Sequence, residues 1–219
     1  MQNTVNVMKR PLQIIVAATA MITGAGTVMA IEEAPYTVVT KDGAFEIRDY
    51  APHVLAETVV DDTLENAGNK AFSKLFRYIS GANQARGKVA MTAPVAQEPR
   101  NAKIAMTTPV GQEQVQEKWA VSFMMPAAYT LDTLPVPDDP QVTLRQVPAR
   151  RMAAVRYSGF WSENRYLRYK LELEAWLLKQ GWVATGTPVW ARYNPPFMPW
   201  FLRRNEILVP VTAAKAGAK

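Results

Sequence analysis

Apolar positions recur at a helical period between Leu64 and Ser80, where Leu64, Gly68, Ala71, Phe72, Leu75 and Ile79 form one stripe. Asp62 and Glu65 make a capping box at the start of this predicted helix, and Gly81 is its stop. A second helix is predicted from Ser162, as N-cap, to Gln180, ending at Gly181. Ahead of each helix lies the same alternation. Phe45-Glu-Ile-Arg-Asp-Tyr-Ala-Pro-His-Val-Leu-Ala-Glu-Thr58 reads as a strand, a Pro-containing turn and a second strand. Val142-Thr-Leu-Arg-Gln-Val-Pro-Ala-Arg-Arg-Met-Ala-Ala-Val155 repeats the design, with Arg145 in the place of Arg48.

Strands are predicted again after each helix. In the first half they are Lys88–Val95, Lys103–Val110 and Lys118–Met125, and in the second Thr187–Tyr193 and Asn205–Val211. The first two are near-copies, Lys88-Val-Ala-Met-Thr-Ala-Pro-Val95 and Lys103-Ile-Ala-Met-Thr-Thr-Pro-Val110, each closed by a proline that cannot donate to a ladder. The pattern predicts two ββαββ-like units, hairpin plus helix plus strands, joined into one curved sheet or barrel carrying two helices. The Pro- and Asp-rich segment Ala127–Pro140 is read as the linker between halves of about 36–125 and 141–212, and 213–219 as a disordered tail.

Composition adds mainly exclusions. Lys9 and Arg10, the short apolar run Leu12–Ile22 and the small residues ending at Ala30 read as a cleaved export signal over residues 1–30. Its removal leaves 23 basic against 19 acidic residues, a net +4 without a Lys/Arg block, so nucleic acid is not an expected partner. The remaining 31–212 suffices for one domain with one core. There is no cysteine, so the exported chain, expected in the periplasm or secreted, relies on that core rather than on disulfides. A single histidine and no thiol leave no nucleophile constellation and no metal cluster, which points to a binding protein rather than an enzyme.

Several segments taken together are similar to one family. Glu46-Ile-Arg-x-Tyr-x-Pro52, Tyr78-Ile-x-Gly81, the doubled Ala-Met-Thr-x-Pro-Val, Phe123-Met-Met-Pro126, Tyr193-Asn-Pro-Pro196 and Arg203-Arg-Asn-Glu206 occur in the order found in the SOUL haem-binding proteins. The resemblance covers about Tyr36 to Val211. It implies an α+β fold, a distorted antiparallel β-barrel of two pseudo-symmetric halves with two flanking long helices. It also implies haem, or another tetrapyrrole, held non-covalently in a shallow apolar groove beside the first helix. The expected role is an exported, monomeric carrier, buffer or scavenger without stable membrane insertion. A module of the same duplicated fold that binds other amphipathic molecules is the rival.

On the helical projection Phe72 and Phe76 edge the core stripe, followed by Asn69 and Ser73 and then by Lys70 and Arg77. These six are the candidate site: an aromatic ledge for a porphyrin face, bordered by cations for its propionates. Read alone, the same residues are also an ordinary core margin and a solvated face. Asp49 stands where some family members carry an iron-ligating histidine. His53 is the one imidazole available to iron, but Pro52 argues for a turn that carries it away, so no metal ligand is assigned. Met91 and Met106 read as packing residues rather than thioether ligands. Arg203 and Arg204 read as rim residues closing on Glu206, and Tyr193–Trp200 as a stiff aromatic groove wall.

Overall fold

The computed structural model describes residues 32–85 and 102–214. Its strands are β1 (Tyr36–Asp42), β2 (Phe45–Tyr50), β3 (His53–Val60), β4 (Asn83–Gln84), β5 (Val110–Val115), β6 (Lys118–Met124), β7 (Val136–Pro137), β8 (Thr143–Val147), β9 (Arg150–Tyr157), β10 (Trp182–Ala184), β11 (Val189–Arg192) and β12 (Asn205–Ala213). Two helices, α1 (Leu64–Ile79) and α2 (Glu163–Gln180), follow β3 and β9, and a short 3-10 turn spans Trp200–Leu202. The main sheet runs β1-β2-β9-β12-β11-β5-β6-β3-β8, with β10 added on β12, and all its pairings are antiparallel. Strands β4 and β7 form a separate ribbon.

The strands flanking Pro52 are not a hairpin. β2 pairs with β9, and β3 with β8, so each half lends its first strand to the other. The duplication is nevertheless legible in the register. Arg48 lies opposite Met152 and Arg145 opposite Leu55, the same separation along both copies. At the centre β11 pairs with β5, with Val189 opposite Glu113, Trp190 opposite Gln112 and Ala191 opposite Gly111. A pseudo-two-fold axis therefore passes through the Trp190–Gln112 pair and exchanges the halves.

This exchange forces the sheet to bend. β2 and β3 stand six inter-strand steps apart, about 29 Å if the sheet were flat. Only Ala51 and Pro52 join them, a link that spans about 10 Å at most. Pro148 and Ala149 impose the same constraint on β8 and β9. The sheet thus curls until Tyr50 and His53 are neighbours, but among the described residues β1 and β8 remain its edges. It is a large curved sheet that fits a distorted barrel loosely and does not close into a true one.

Alternation sorts the side chains onto two faces. Val54, Ala56, Val121, Phe123, Ala153, Val155, Ile207 and Val209 meet Leu64, Ala71, Leu75, Leu173 and Trp176 of the helices in the main core. The other face carries a smaller cluster with Tyr50, Met124, Met152, Ala154, Ala191 and Leu208. α1 packs on β3 and β6, and α2 on β9, β10 and β12, as the pseudo-symmetry requires.

Local predictions need four corrections. Thr63, not Asp62, is the N-cap of α1, and its side chain accepts from the Asn66 N–H. Asp62 instead accepts from the Thr63 N–H and pairs with Lys70. Residues 103–109 are not a strand. Thr107 and Thr108 are buried, with the Thr107 hydroxyl bonded to the Met124 carbonyl, and β5 begins only at Val110. The supposed linker is packed: Leu134 is fully buried, Pro135 O accepts from the Tyr78 hydroxyl, and β7 pairs with β4. The last strand extends through Ala213 into the segment read as tail. The first octapeptide copy with Met91, the export segment 1–30 and residues 215–219 lie outside the described residues.

Candidate functional site

α1 presents Phe72 and Phe76 outward, 36% and 46% exposed, with ring centroids 5.7 Å apart and planes within 11°. Phe72 is anchored edge-on to the buried Phe123 of β6 at 5.3 Å, so one rim of the pair is fixed by the core. Side chains this large are normally buried, and two stacked rings left in solvent form an apolar surface of the kind that meets a ligand. Asn69, Lys70, Ser73 and Arg77 are exposed beside them. Lys70 is engaged by Asp62 at 2.5 Å, an interaction that draws the Asp62 carboxyl down to about 2. Arg77 borders a shallow groove that it shares with Lys74, Asp138 and Asp139. All six sequence candidates therefore share one side of α1.

The Tyr193–Arg204 segment is linked to buried Gly68 of α1 through a series of contacts. A side chain at Gly68 would meet Arg192 at 2.7 Å. The Arg192 guanidinium lies 4.9 Å from the Trp161 ring centre, and Arg203 covers the same ring at 4.5 Å. Arg203 holds the loop by donating to the carbonyls of Met198 and Pro196 at 2.8 and 2.6 Å. Phe197, Trp200, Phe201 and Phe160 stay exposed, with Phe160 stacked on Trp200 at 5.4 Å.

The opposite face of the sheet holds an ionic network. Glu206, fully buried, accepts from Arg48 at 2.6 and 3.1 Å, from Arg204 at 3.0 Å and from the Tyr193 hydroxyl at 2.9 Å. Arg48 also donates to Glu46 at 2.7 Å and to Tyr50 Oη at 3.1 Å, and Arg204 holds both oxygens of Glu33 at 2.9 Å. Burial alone would raise the Glu206 carboxyl, but the bonds and charge of Arg48 and then of Arg204 hold it below its ordinary value. Burial lifts Tyr50 to about 12, keeping its hydroxyl protonated. Arg204 is thus the rim residue that the sequence suggests, whereas Arg203 serves the loop.

His53 lines this same face, not the α1 ledge. Its Nδ1–H donates to Ala51 O at 2.9 Å, and burial pulls its ordinary value down. The residues of the ledge fit a flat apolar face with anionic arms and provide no imidazole for a metal. Among the described residues no group of acidic, histidine or cysteine side chains could hold a metal ion, and no helix is long and apolar enough to cross a membrane. Sequence reasoning missed the cleft that His53 enters, lined also by Glu113, Arg145 and Arg150. The sequence carries no local signal for it, because Glu113 stands between Gln112 and Gln114 in an ordinary polar run of β5.

The family model described as SOUL heme-binding protein matches residues 31–210. Heme-binding protein 1 of Xenopus tropicalis is 27% identical over 169 residues, covering 76% of this chain and 84% of that protein. Heme-binding protein 2 of Mus musculus is 25% identical over 185 residues, covering 80% and 85%. Among solved structures, the EcmrR–DNA complex matches with a TM-score of 0.55 at 12% identity, over 78% of this chain and 57% of that one. A structure described as a hydrolase from Listeria innocua gives a TM-score of 0.51 at 11% identity, over 80% and 94%. At these identities the two structures speak to the fold alone.

Proposed function

The chain belongs to the SOUL heme-binding protein family, and from that premise we propose that it is an exported tetrapyrrole carrier, buffer or scavenger that seats haem on the α1 ledge. The observation that carries the reading is the pair of stacked, solvent-facing rings of Phe72 and Phe76. A porphyrin laid against them replaces water on an apolar surface, at about 25 cal/mol for each Å² covered. Arg77 and Lys70 are cations for the propionates, Asn69 and Ser73 are neutral donors between them, and the Phe197–Phe201 loop forms the facing wall. The protein grips the macrocycle and leaves the iron without an imidazole, because His53 is on the other face. Bound haem would bring its own iron chemistry. The residues of α1 contribute orientation and charge.

Export is part of the proposal. It is supported by the basic and apolar character of residues 1–30 and by the family match beginning at residue 31. Intact-mass measurement of protein recovered from outside the cytoplasm should show Ile31 as the first residue; a retained 1–30 segment would refute it. The binding reading is tested by titrating the protein with haemin and with metal-free protoporphyrin, following absorbance and tryptophan quenching. Saturable and similar binding of both is expected. Saturation by neither removes the reading, and a strong preference for haemin with a six-coordinate spectrum would require an axial ligand that the ledge does not offer.

A further inference from the structure

The concave face of the sheet bears a second cavity, separate from the α1 ledge, that the family reading leaves unused. It is an open cleft with about 70 Å³ of room for water-sized molecules. The register explains its composition. The pseudo-two-fold axis exchanges Leu55 with Met152, Gly111 with Val189, Ser122 with Leu208 and His53 with Arg150, and all of these line the cleft. The floor is therefore apolar from both halves. Gly111 keeps it low, because a Cβ there would meet Ser122 Oγ at 2.8 Å.

The duplication does not extend to the charged groups. Arg145 is satisfied by Glu57 at 2.7 Å. Arg150 has no ion pair among the described residues, and its Nε is buried without a hydrogen-bond partner. His53 spends its Nδ1–H on Ala51 and offers only an acceptor. Glu113 is half-buried, also without an ion pair, and burial pushes its carboxyl up. The asymmetry is decisive. A carboxyl can escape burial by taking a proton, whereas a guanidinium cannot shed one; Glu113 acts on Arg150 only through its charge, without an ion pair, so the buried Arg150 Nε still lacks an acceptor.

We propose that this cleft is a binding site for an amphipathic monocarboxylate, with its carboxylate on Arg150 and its apolar body over Leu55, Met124, Met152, Val189 and Leu208. The site is independent of haem: it faces away from α1, and the two ligands can be bound together.

The test uses a dansylated undecanoate, whose emission rises on entering an apolar site, with dodecanoate and dodecyltrimethylammonium as competitors. Saturable binding displaced by dodecanoate and not by the ammonium is expected. Arg150→Met should weaken it on the order of tenfold, the scale of one charge-assisted hydrogen bond, Arg150→Lys should weaken it less, and Glu113→Gln should tighten it by removing the carboxyl that competes for Arg150. Phe72→Ser with Phe76→Ser should leave dye binding intact while haemin binding falls, and saturating haemin should not displace the dye. Thermal melts identify any Arg150→Met protein that fails to fold, in which case Arg150→Lys and Glu113→Gln decide. Displacement by the ammonium with loss in Glu113→Gln would make the cleft a cation site and overturn the proposal. Equal binding by every variant would reduce it to adventitious partitioning. Loss only in the Phe72/Phe76 variant would move the dye to the haem ledge, sinking this site while leaving the haem reading standing.

Discussion

Glu206→Gln preserves the shape at the centre of the buried ionic network and removes its charge. Four donor bonds converge on this carboxylate, from Arg48 twice, Arg204 and Tyr193. A carboxamide keeps one acceptor and turns an NH₂ towards groups that are themselves donors. Arg48, only 2% exposed, then loses its main counter-charge. Removing one partner of a buried pair costs about 3–5 kcal/mol. Glu46 still holds Arg48, and Glu33 still holds Arg204, so about 3 kcal/mol is expected, at the low end of that range. The folded-state carboxyl is held below its ordinary 4.5, so its contribution is complete above that value and is lost as the pH falls through the folded one. Urea unfolding of both proteins between pH 7 and pH 3 measures this directly. The gap should be widest at neutral pH and shrink in acid, and Arg48→Met combined with Glu206→Gln should cost less than the two changes summed. A neutral-pH gap under about 1 kcal/mol, a gap unchanged in acid, or strict additivity would refute the account.

Arg77→Glu should weaken haemin binding by about 1–3 kcal/mol, read from absorbance titration, by placing a like charge at a propionate. Gly68→Ala should destabilise by about 1–3 kcal/mol in chemical denaturation despite the higher helix propensity of alanine, because its Cβ meets an Arg192 that is bonded to Gln112 and packed on Trp190. For His53, burial favours the neutral ring, so folding opposes its protonation. Stability should fall as the pH drops from about 6.5 towards the lower folded value. His53→Gln should flatten that slope in urea midpoints compared at pH 7.5 and 5.5, and leave the Soret band of bound haem unchanged.

Both helices and the duplication were legible in the sequence, because periodicity and stop signals are local. Gly181 illustrates this: it takes a left-handed φ of 70° and closes α2 where the pattern ends. Strand partners were not legible. Tyr50 and His53 flank the same two-residue link in either topology, and nothing local distinguishes a hairpin from a pair of strands that go to opposite ends of a curled sheet. The cleft follows from that curl, so Glu113 and Arg150 could not be read as facing one another. Residues 103–109 failed as a strand for a related reason: their alternation is real, but their buried Thr107 bonds the Met124 carbonyl through its side chain, leaving only an isolated bridge at Thr108.

The duplication also explains why only one helix offers a ledge. α2 exposes an apolar stripe too, with Leu167, Leu171 and Leu178 on one side. Glu174 falls within that stripe and is paired with Lys170 at 2.7 Å, while Arg168 and Glu172 stand 3.5 Å apart on the adjoining surface. Branched aliphatic side chains interrupted by a carboxylate give neither a flat stacking surface nor a field that attracts propionates. α1 has two stacked, near-parallel rings with Lys70 and Arg77 beside them, and its acids, Asp62 against Lys70 and Asp138 and Asp139 in the groove of Arg77, lie outside the ring surface. Transplanting the difference is a direct check. Leu167→Phe with Leu171→Phe and Glu174→Gln should give α2 a measurable porphyrin site, detected as a second, weaker phase of tryptophan quenching. A single unchanged phase would mean that the facing loop at Phe197–Phe201, which α2 lacks in equivalent form, contributes more of the affinity than the ledge itself.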